Sequence, residues 1–196
     1  MVRSVTAAAL AGILAAGAAA ADPVSGDAAR ALVFAPQGVE VAFFGDSGLT
    51  EADRTLLGAA LGEIGYYAAV AFPRGQGVMA QGGAVAGNHH SPEAAITAAL
   101  AECRAKRAAG APDCAPAAVI RPRGWEARPL QMSGKAAAAL GREYRNAARP
   151  RALALSAATG GWGVGSGADA AAAAISACVA SVPEARPADC AVAVAD

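Results

Sequence analysis

The chain repeats one plan twice, and each copy carries its own pair of cysteines. Each copy reads as a strand, a glycine-rich turn, a second strand, an alanine-rich helix that reaches a cysteine, a loop, and a strand that starts at Asp-Cys. The cysteines lie 11 residues apart in the first copy and 12 in the second. We therefore predict disulfides within each copy, Cys103–Cys114 and Cys178–Cys190, over the crossed pairing that would join Cys103 to Cys190.

The repeat sets the domain organisation. We predict an α+β fold in which two repeat units, residues 66–122 and 151–196, are each ββαβ with a helix packed on mainly antiparallel sheet. Residues 22–65 are predicted to form an N-terminal ββα segment, with two strands around the Pro-Gln-Gly turn at 36–38 and a helix capped by Thr50. This segment is interpreted either as a degenerate third repeat or as an N-terminal cover.

Residues 123–150 are a connector and helix between the two units. The first half of this connector is rich in proline and glycine and is expected to be extended. Ser133 is placed to cap a helix that runs from Gly134 to about Ala148, because Pro150 stops it there.

The core of such a chain is expected to be thin. Sixty of the 196 residues are alanine and the aromatic fraction is 5%, so we expect the core to come from a few Val, Ile, Leu, Phe and Tyr side chains. Disulfides would offset a small core, and one sheet shared by both units would bury more surface than either unit alone.

Residues 1–21 have the layout of a secretory signal peptide. Arg3 precedes an apolar stretch from Val5 to Ala20, and Ala19-Ala20-Ala21 offers a small-residue cleavage site. The alternative is an N-terminal membrane anchor, which the short, alanine-dominated stretch disfavours. With an even number of cysteines, this layout predicts a periplasmic or secreted protein that has no membrane span after cleavage. A formal net charge of zero gives no electrostatic basis for binding nucleic acid.

The motifs of the first unit are YYAAVAF, a glycine-rich turn, AAITAALAEC, and Asp-Cys before an apolar strand. In this order they resemble a domain family of unknown function that occurs in secreted bacterial proteins. The resemblance spans about residues 66–120 and, more loosely, residues 151–196.

The whole layout, including PRGWEARPLQ, also resembles small exported proteins of alphaproteobacteria, some of which carry the label 5-aminolevulinate synthase. An enzyme of that kind uses pyridoxal phosphate bound to a lysine. The lysines of this chain are Lys106 and Lys135, and neither adjoins a phosphate-binding loop. We therefore expect no cofactor, and we do not expect that activity.

The two histidines of the chain, His89 and His90, lie side by side in the segment VAGNHHSP. Ser91 and Pro92 are typical of a helix start, so the pair enters a helix N-terminus. No HxH or HExxH spacing is present and the cysteines are assigned to disulfides, so we expect no metal site. We interpret the pair as part of a solvent-facing loop, with a catalytic or ligand-binding histidine as the alternative.

The stretch FFGDSGL, residues 43–49, resembles the serine block of the GDSL esterase family, and Gly87-Asn88 resembles another of its blocks. The resemblance implies that Ser47 is a nucleophile, with an oxyanion hole from nearby backbone and that asparagine. The family's Asp-x-x-His block is absent, because no histidine follows His90. A turn before a helix is the simpler interpretation of residues 45–48.

Arg142, Arg145 and Arg149 are spaced i, i+3, i+7 on the predicted connector helix, so they share one face. We interpret this face as solvated. The alternative is that, together with the stretch at 121–125, it holds an anionic partner or a glycan.

No reactive constellation is evident in the sequence. The first hypothesis is therefore a non-catalytic exported protein that binds a partner protein or an envelope component, or that supports the envelope. A small envelope hydrolase is the second hypothesis; it would use the loops at 43–49 and 85–92, with Ser47, His89 and His90 as candidate catalytic residues. A metal or small-molecule binder is the third.

Overall fold

The structure is a computed structural model that describes residues 22–36, 38–45, 47–184 and 189–196. The predicted signal peptide, residues 1–21, lies outside the described residues. In chain order the elements are α1 (Gly26–Leu32), β1 (Val39–Phe43), α2 (Glu51–Leu61), β2 (Ala68–Pro73), β3 (Ala84–Ala86), α3 (Pro92–Lys106), β4 (Cys114–Pro122), α4 (Gly134–Ala139), β5 (Arg151–Ser156), β6 (Trp162–Ser166), α5 (Ala170–Ser181) and β7 (Cys190–Ala195). A π-helical turn, Leu140–Tyr144, continues α4 directly.

The α+β class and both ββαβ units are confirmed. Within the described residues the strands form two antiparallel sheets, ordered β1-β4-β2-β3 and β6-β5-β7. In each unit the first strand is central, and the second and last strands flank it. The units do not share one sheet, because each sheet packs on its own helix: α3 covers the first and α5 the second.

The two units match each other strand by strand. In each, the register of the central strand against the last strand shifts between its third and fourth residues, at Val70/Ala71 in β2 and at Leu153/Ala154 in β5. An irregularity of this kind bends a strand and increases its twist. Its presence at the same place in both units makes it part of the repeated plan.

Both disulfides form within the units, as predicted. Cys103–Cys114 and Cys178–Cys190 each join a helix to the first residue of the strand that follows, with the Cα atoms 6.1 Å apart. The crossed pairing is therefore wrong. A covalent loop of this length stabilises a small fold by roughly 2–4 kcal/mol. Two disulfides are compatible with an extracytoplasmic or secreted protein.

The N-terminal segment is helix, strand, helix, and the predicted ββα order is wrong. The stretch expected as its first strand, residues 31–35, is not a strand. Its first two residues end α1, which the Ser25 hydroxyl caps by accepting the Ala28 backbone N–H. The segment covers both units: β1 pairs with β4, and Val24 forms a bridge with Val194 of β7. In each sheet it therefore lies on the outer edge of the unit's last strand.

Alanine contributes more to the core than the composition argument predicted. Ala95, Ala98 and Ala99 of α3 are buried against alanines of β2 and β3. In the second unit, a Cβ atom at Gly163 of β6 would stand 2.3 Å from the Cys178 amide nitrogen. Small residues thus let the helix and sheet backbones approach closely, so the alanine content is a packing requirement of this fold.

The connector has the predicted form. Ser133 is fully buried, and its hydroxyl accepts the Ala136 N–H at the start of α4. The helix continues through the π-helical turn and ends ahead of Pro150. No helix in the described part of the chain is long and apolar enough to span a bilayer.

Arg151 fixes the end of the connector helix to the second sheet. Its guanidinium donates to the carbonyl oxygens of Tyr144 and Arg145, and to the Asp196 carboxylate at 2.8 Å. The Gly26 N–H and Arg151 both bond to Asp196, and they hold the pKa of this carboxyl at about 2. One ionic cluster therefore ties α1, the connector helix and the second sheet together.

Candidate functional site

The histidine loop lies at the junction of the two units. His89 and His90 are buried, with 6% and 5% of their surfaces exposed, so the interpretation as a solvent-facing loop is wrong. Backbone hydrogen bonds of 3.0 and 3.4 Å pair His89 with Tyr67, just ahead of β2. The turn at residues 159–161 of the second unit covers the loop from the other side, which is why water is excluded.

His90 joins three segments of the chain. Its Nδ1 accepts the Ser133 N–H at 3.0 Å, and its Nε2 lies 2.9 Å from the Gly161 carbonyl oxygen. Since an amide N–H only donates and a carbonyl oxygen only accepts, the imidazole must be the neutral tautomer with its proton on Nε2.

The neutral form of His90 is also favoured by its surroundings. Burial lowers the pKa of His90 to about 4, and His89 acts in the same direction. The hydrogen bond to Gly161 and the charge of Asp189 oppose this shift but are outweighed. At neutral pH the imidazole is therefore a hydrogen-bonding bridge between backbones, with neither nitrogen available to a substrate or a metal.

The contact between the units also requires a glycine. A Cβ atom at Gly160 would stand 2.0 Å from the Asn88 carbonyl oxygen and 2.9 Å from the His89 Cα. Gly160 has a φ of +77°, which side chains rarely permit. The two backbones therefore meet directly, with His90 alongside.

A polar network of the second unit supports this turn. Asp189 accepts the Ser156 hydroxyl and, at 2.9 Å, the Ala158 N–H, and Thr159 lies within hydrogen-bonding distance of Ser156. Ser156 is bonded to Asp189, and Asp189 acts electrostatically on His90, so a residue of each type found in a hydrolase triad is present in this region. Here the serine bonds to the carboxylate, while both nitrogens of His90 bond to backbone, so the connections of a triad are not made.

A pocket of 350 Å³ opens beside His90 at the junction. Most of its lining is apolar and comes from the N-terminal segment, the connector and the second sheet. Its polar lining includes His90 and Asp189, whose bonding to the protein is described above. The pocket therefore presents a mainly apolar surface, and the His90 and Asp189 side chains in its lining are already bonded to the protein.

The Ser47 hydroxyl is bonded to the backbone of its own turn. The residue is buried, and its hydroxyl donates to the Phe44 carbonyl oxygen at 2.8 Å. His90, one of the two histidines that the hydrolase hypothesis names, is bonded to Ser133 and Gly161 instead. The structure thus gives Ser47 the geometry of a turn residue. Across the described ranges, no three His, Cys, Asp or Glu side chains cluster as metal ligands would.

The connector arginines are exposed, as the solvated-face interpretation expects. Arg149 also lies 3.6 Å from the Asp196 carboxylate. Arg121 is engaged elsewhere: it bonds to Glu40 at 2.7 Å, and its guanidinium lies 5.1 Å from the ring centre of Trp125. Arg121 therefore does not extend the exposed cationic face of the connector helix, whereas Arg123 is exposed.

A larger cavity lies over the outer strand of the first sheet. It measures 680 Å³ and adjoins a second cavity of 450 Å³, with which it shares part of its lining around Tyr66 and Gly134. We term the two together the β1 groove. Its floor is formed by Val39, Val41 and Phe43, which alternate along β1 and so share one side of the strand. These side chains are only half-buried, because α2 contacts β1 sparsely.

Glycine keeps the wall of the β1 groove open. Gly58 of α2 and Gly62, which directly follows α2, both line it, and outside the adjoining turns of its own helix no described atom lies within 4 Å of the place a Gly58 Cβ would take. The charged side chains of the lining are Glu63 and Arg123 in the first cavity and Lys135 in the second. The groove thus combines an apolar floor with a few charged groups, as small-molecule sites do.

Sequence reasoning missed both the junction and the groove, for different reasons. The partners of His90 are backbone groups 43 and 71 residues away, so no local pattern could identify them. The groove had a local signal, because Gly58 lies on the predicted helix and Gly62 follows that helix four residues later, at places where larger residues would normally pack. Comparison with known proteins adds no analogue for either site: no family model, curated protein or solved structure matches the chain.

Proposed function

We propose that this protein is a non-catalytic exported binding protein that holds a small, largely apolar molecule in the β1 groove. The observation that carries the proposal is the groove itself. Its first cavity has the volume of a typical small-molecule site, its floor is apolar, and a bare glycine wall leaves it open. Its described lining contains no His, Cys, Ser or Asp side chain, so it offers binding surface without an evident nucleophile or base pair.

Export to the periplasm or the medium is part of the proposal. The layout of residues 1–21 supports it, and so do the two disulfides, which persist in oxidising compartments.

The junction supports a scaffold role for the rest of the molecule. His90 and Gly160 hold the units in contact, and the histidine's nitrogens are both occupied by backbone. In this proposal the second unit, the connector and the N-terminal segment hold the first sheet and its groove in shape.

Filling the groove tests the proposal. N-phenyl-1-naphthylamine, a neutral apolar fluorophore, serves as the probe, because its emission rises when it leaves water. Gly58→Leu places a side chain in the groove, and it should not destabilise α2, since leucine forms helix better than glycine. Gly141→Leu is the matched control: Gly141 is exposed, helical, outside the groove lining and equally uncrowded.

We expect the wild type and Gly141→Leu to bind the probe equally and Gly58→Leu to lose most of this binding while its thermal unfolding is unimpaired. The proposal fails if the wild type does not bind the probe, or if Gly58→Leu binds it as well as the control does.

A further inference from the structure

We propose that the β1 groove selects a monoanionic amphiphile, with an apolar chain on the β1 floor and a carboxylate head attracted by the two cations of the lining, Arg123 and Lys135. This inference rests on the proposed function and adds the class of ligand. It draws on three features of the described lining: the two cations, the acid Glu63 and the apolar floor.

The next feature is the pairing of the two groove cations with the described part of the protein. Within the described residues neither Arg123 nor Lys135 forms an ion pair. Glu40 feels the charge of Arg123, but its carboxylate is already bonded to Arg121 at 2.7 Å and to the Gly124 N–H at 3.1 Å. Both groove cations therefore remain available to an anion that enters the groove.

The charge balance of the lining favours a ligand with one negative charge. Glu63 is the acid among the described lining residues, and it stands against the two cations. A monoanion would leave the occupied groove neutral, whereas a dianion would reverse its sign and a cation would add to its positive charge.

The remaining lining favours an apolar chain. Val39, Val41 and Phe43 present only carbon to the groove floor. The Tyr66 hydroxyl is directed into the protein, 2.9 and 2.8 Å from the carbonyl oxygens of Phe34 and Ala35, so its polar end is already satisfied. The second cavity shares part of its lining with the first, so the groove has room for a head group as well as for the chain on the β1 floor.

Three decyl compounds with different heads test the inference: decanoate, decanol and decyltrimethylammonium. Each displaces N-phenyl-1-naphthylamine from the full chain with its disulfides intact, at concentrations below micelle formation. The variant is Arg123→Gln/Lys135→Gln. Its control, Arg142→Gln/Arg145→Gln, removes the same charge from the exposed connector helix, outside the groove lining.

We expect decanoate to displace the probe at about one-fifth of the decanol concentration, because two exposed cations together contribute at most about 1 kcal/mol. Decyltrimethylammonium should be weaker than decanol. In Arg123→Gln/Lys135→Gln, decanoate and decanol should become equal, while the connector variant should behave as the wild type does.

The inference is overturned if the wild type binds decanoate and decanol equally, or if the connector variant loses the preference for decanoate. Probe binding that Gly58→Leu removes would then still support the proposed function. A failure of the proposed function looks different, because neither the probe nor any decyl compound would bind in a Gly58-dependent way.

Discussion

At the scale of single residues, the chemistry of His90 is set by what its nitrogens touch. A backbone N–H bonds to Nδ1 and a backbone carbonyl lies at Nε2, so the ring is held neutral and in one tautomer. His90 in the native state should therefore differ from His90 in the unfolded chain in its affinity for protons. This difference makes stability depend on pH in a defined window.

We expect the free energy of unfolding to fall as pH is lowered from about 6.5 to about 4. The pKa of His90 is about 4 in the fold and near 6.5 in the unfolded chain. Between these two pH values the imidazole is protonated in the unfolded chain and neutral in the native state, so lowering the pH favours unfolding. The contribution is about 3 kcal/mol, fully lost below the lower value. Asp189 and His89 face the ring, and their electrostatic effects are already included in the pKa of about 4.

Urea unfolding at a series of pH values measures this dependence. His90→Ala is the comparison, because carboxylates also titrate near the lower end of the window and are present in both proteins. The difference in stability between wild type and variant should narrow as pH falls. An unchanged difference from pH 7 to pH 4 would show that His90 is protonated as easily in the fold as outside it.

At the scale of secondary-structure elements, a second test concerns the turn that meets the histidine loop. Gly160→Ala should destabilise the protein strongly, because the new methyl group would collide with the Asn88 carbonyl and the backbone is left-handed there. Gly167→Ala is the matched control: its φ is also positive, at +85°, but no atom lies near its missing Cβ.

We expect Gly160→Ala to lower the free energy of unfolding by about 2 kcal/mol more than Gly167→Ala does, because both variants carry the backbone cost and only one carries the collision. Chemical denaturation of the two variants measures this. Equal losses would mean that the units are not in contact at this turn.

The elements themselves were largely readable from sequence. Ser91, Ser133 and Thr50 each cap a helix where the residue pattern indicated, and both ββαβ orders and both disulfides followed from the repeat. The exception is the stretch 31–35, which was predicted as a strand: its first two residues end α1, which Ser25 caps, and the other three are in neither helix nor strand. Caps act over three or four residues, and a sequence displays them directly.

Contacts between distant elements could not be predicted from the sequence. Nothing in the local pattern shows that Val24 reaches β7 while β1 reaches β4, or that the two sheets remain separate. The burial of His90 is the same kind of fact, since it depends on a turn 71 residues away. The contribution of the alanine-rich helices to the core was also underestimated. Their small side chains stabilise the fold by letting the helix and sheet backbones approach closely, rather than by burying a large area.

At the scale of the whole molecule, two similar units are held together by three links. The N-terminal segment contacts both sheets, the connector helix is bonded to His90 through Ser133, and the turn at 159–161 lies on the histidine loop. These links should make the units unfold as one, although each has its own sheet, helix and disulfide.

We expect calorimetry to show one transition for the wild type and one, at lower temperature, for Cys178→Ala/Cys190→Ala. Loss of the second disulfide should reduce stability by roughly 2–4 kcal/mol. Cys103→Ala/Cys114→Ala is the companion variant, and it should also shift a single transition. Separate transitions for the two units would show that the links between them are too weak to couple their unfolding.

The central claim is that His90 is a structural bridge between the units and not a reactive or solvent-exposed group. Its imidazole nitrogen shifts, measured by long-range proton–nitrogen NMR across pH 7 to 4, test this claim most directly. The account predicts a fixed neutral tautomer with the proton on Nε2, retained until the pH approaches 4. Averaged tautomers that titrate near pH 6.5 would contradict it.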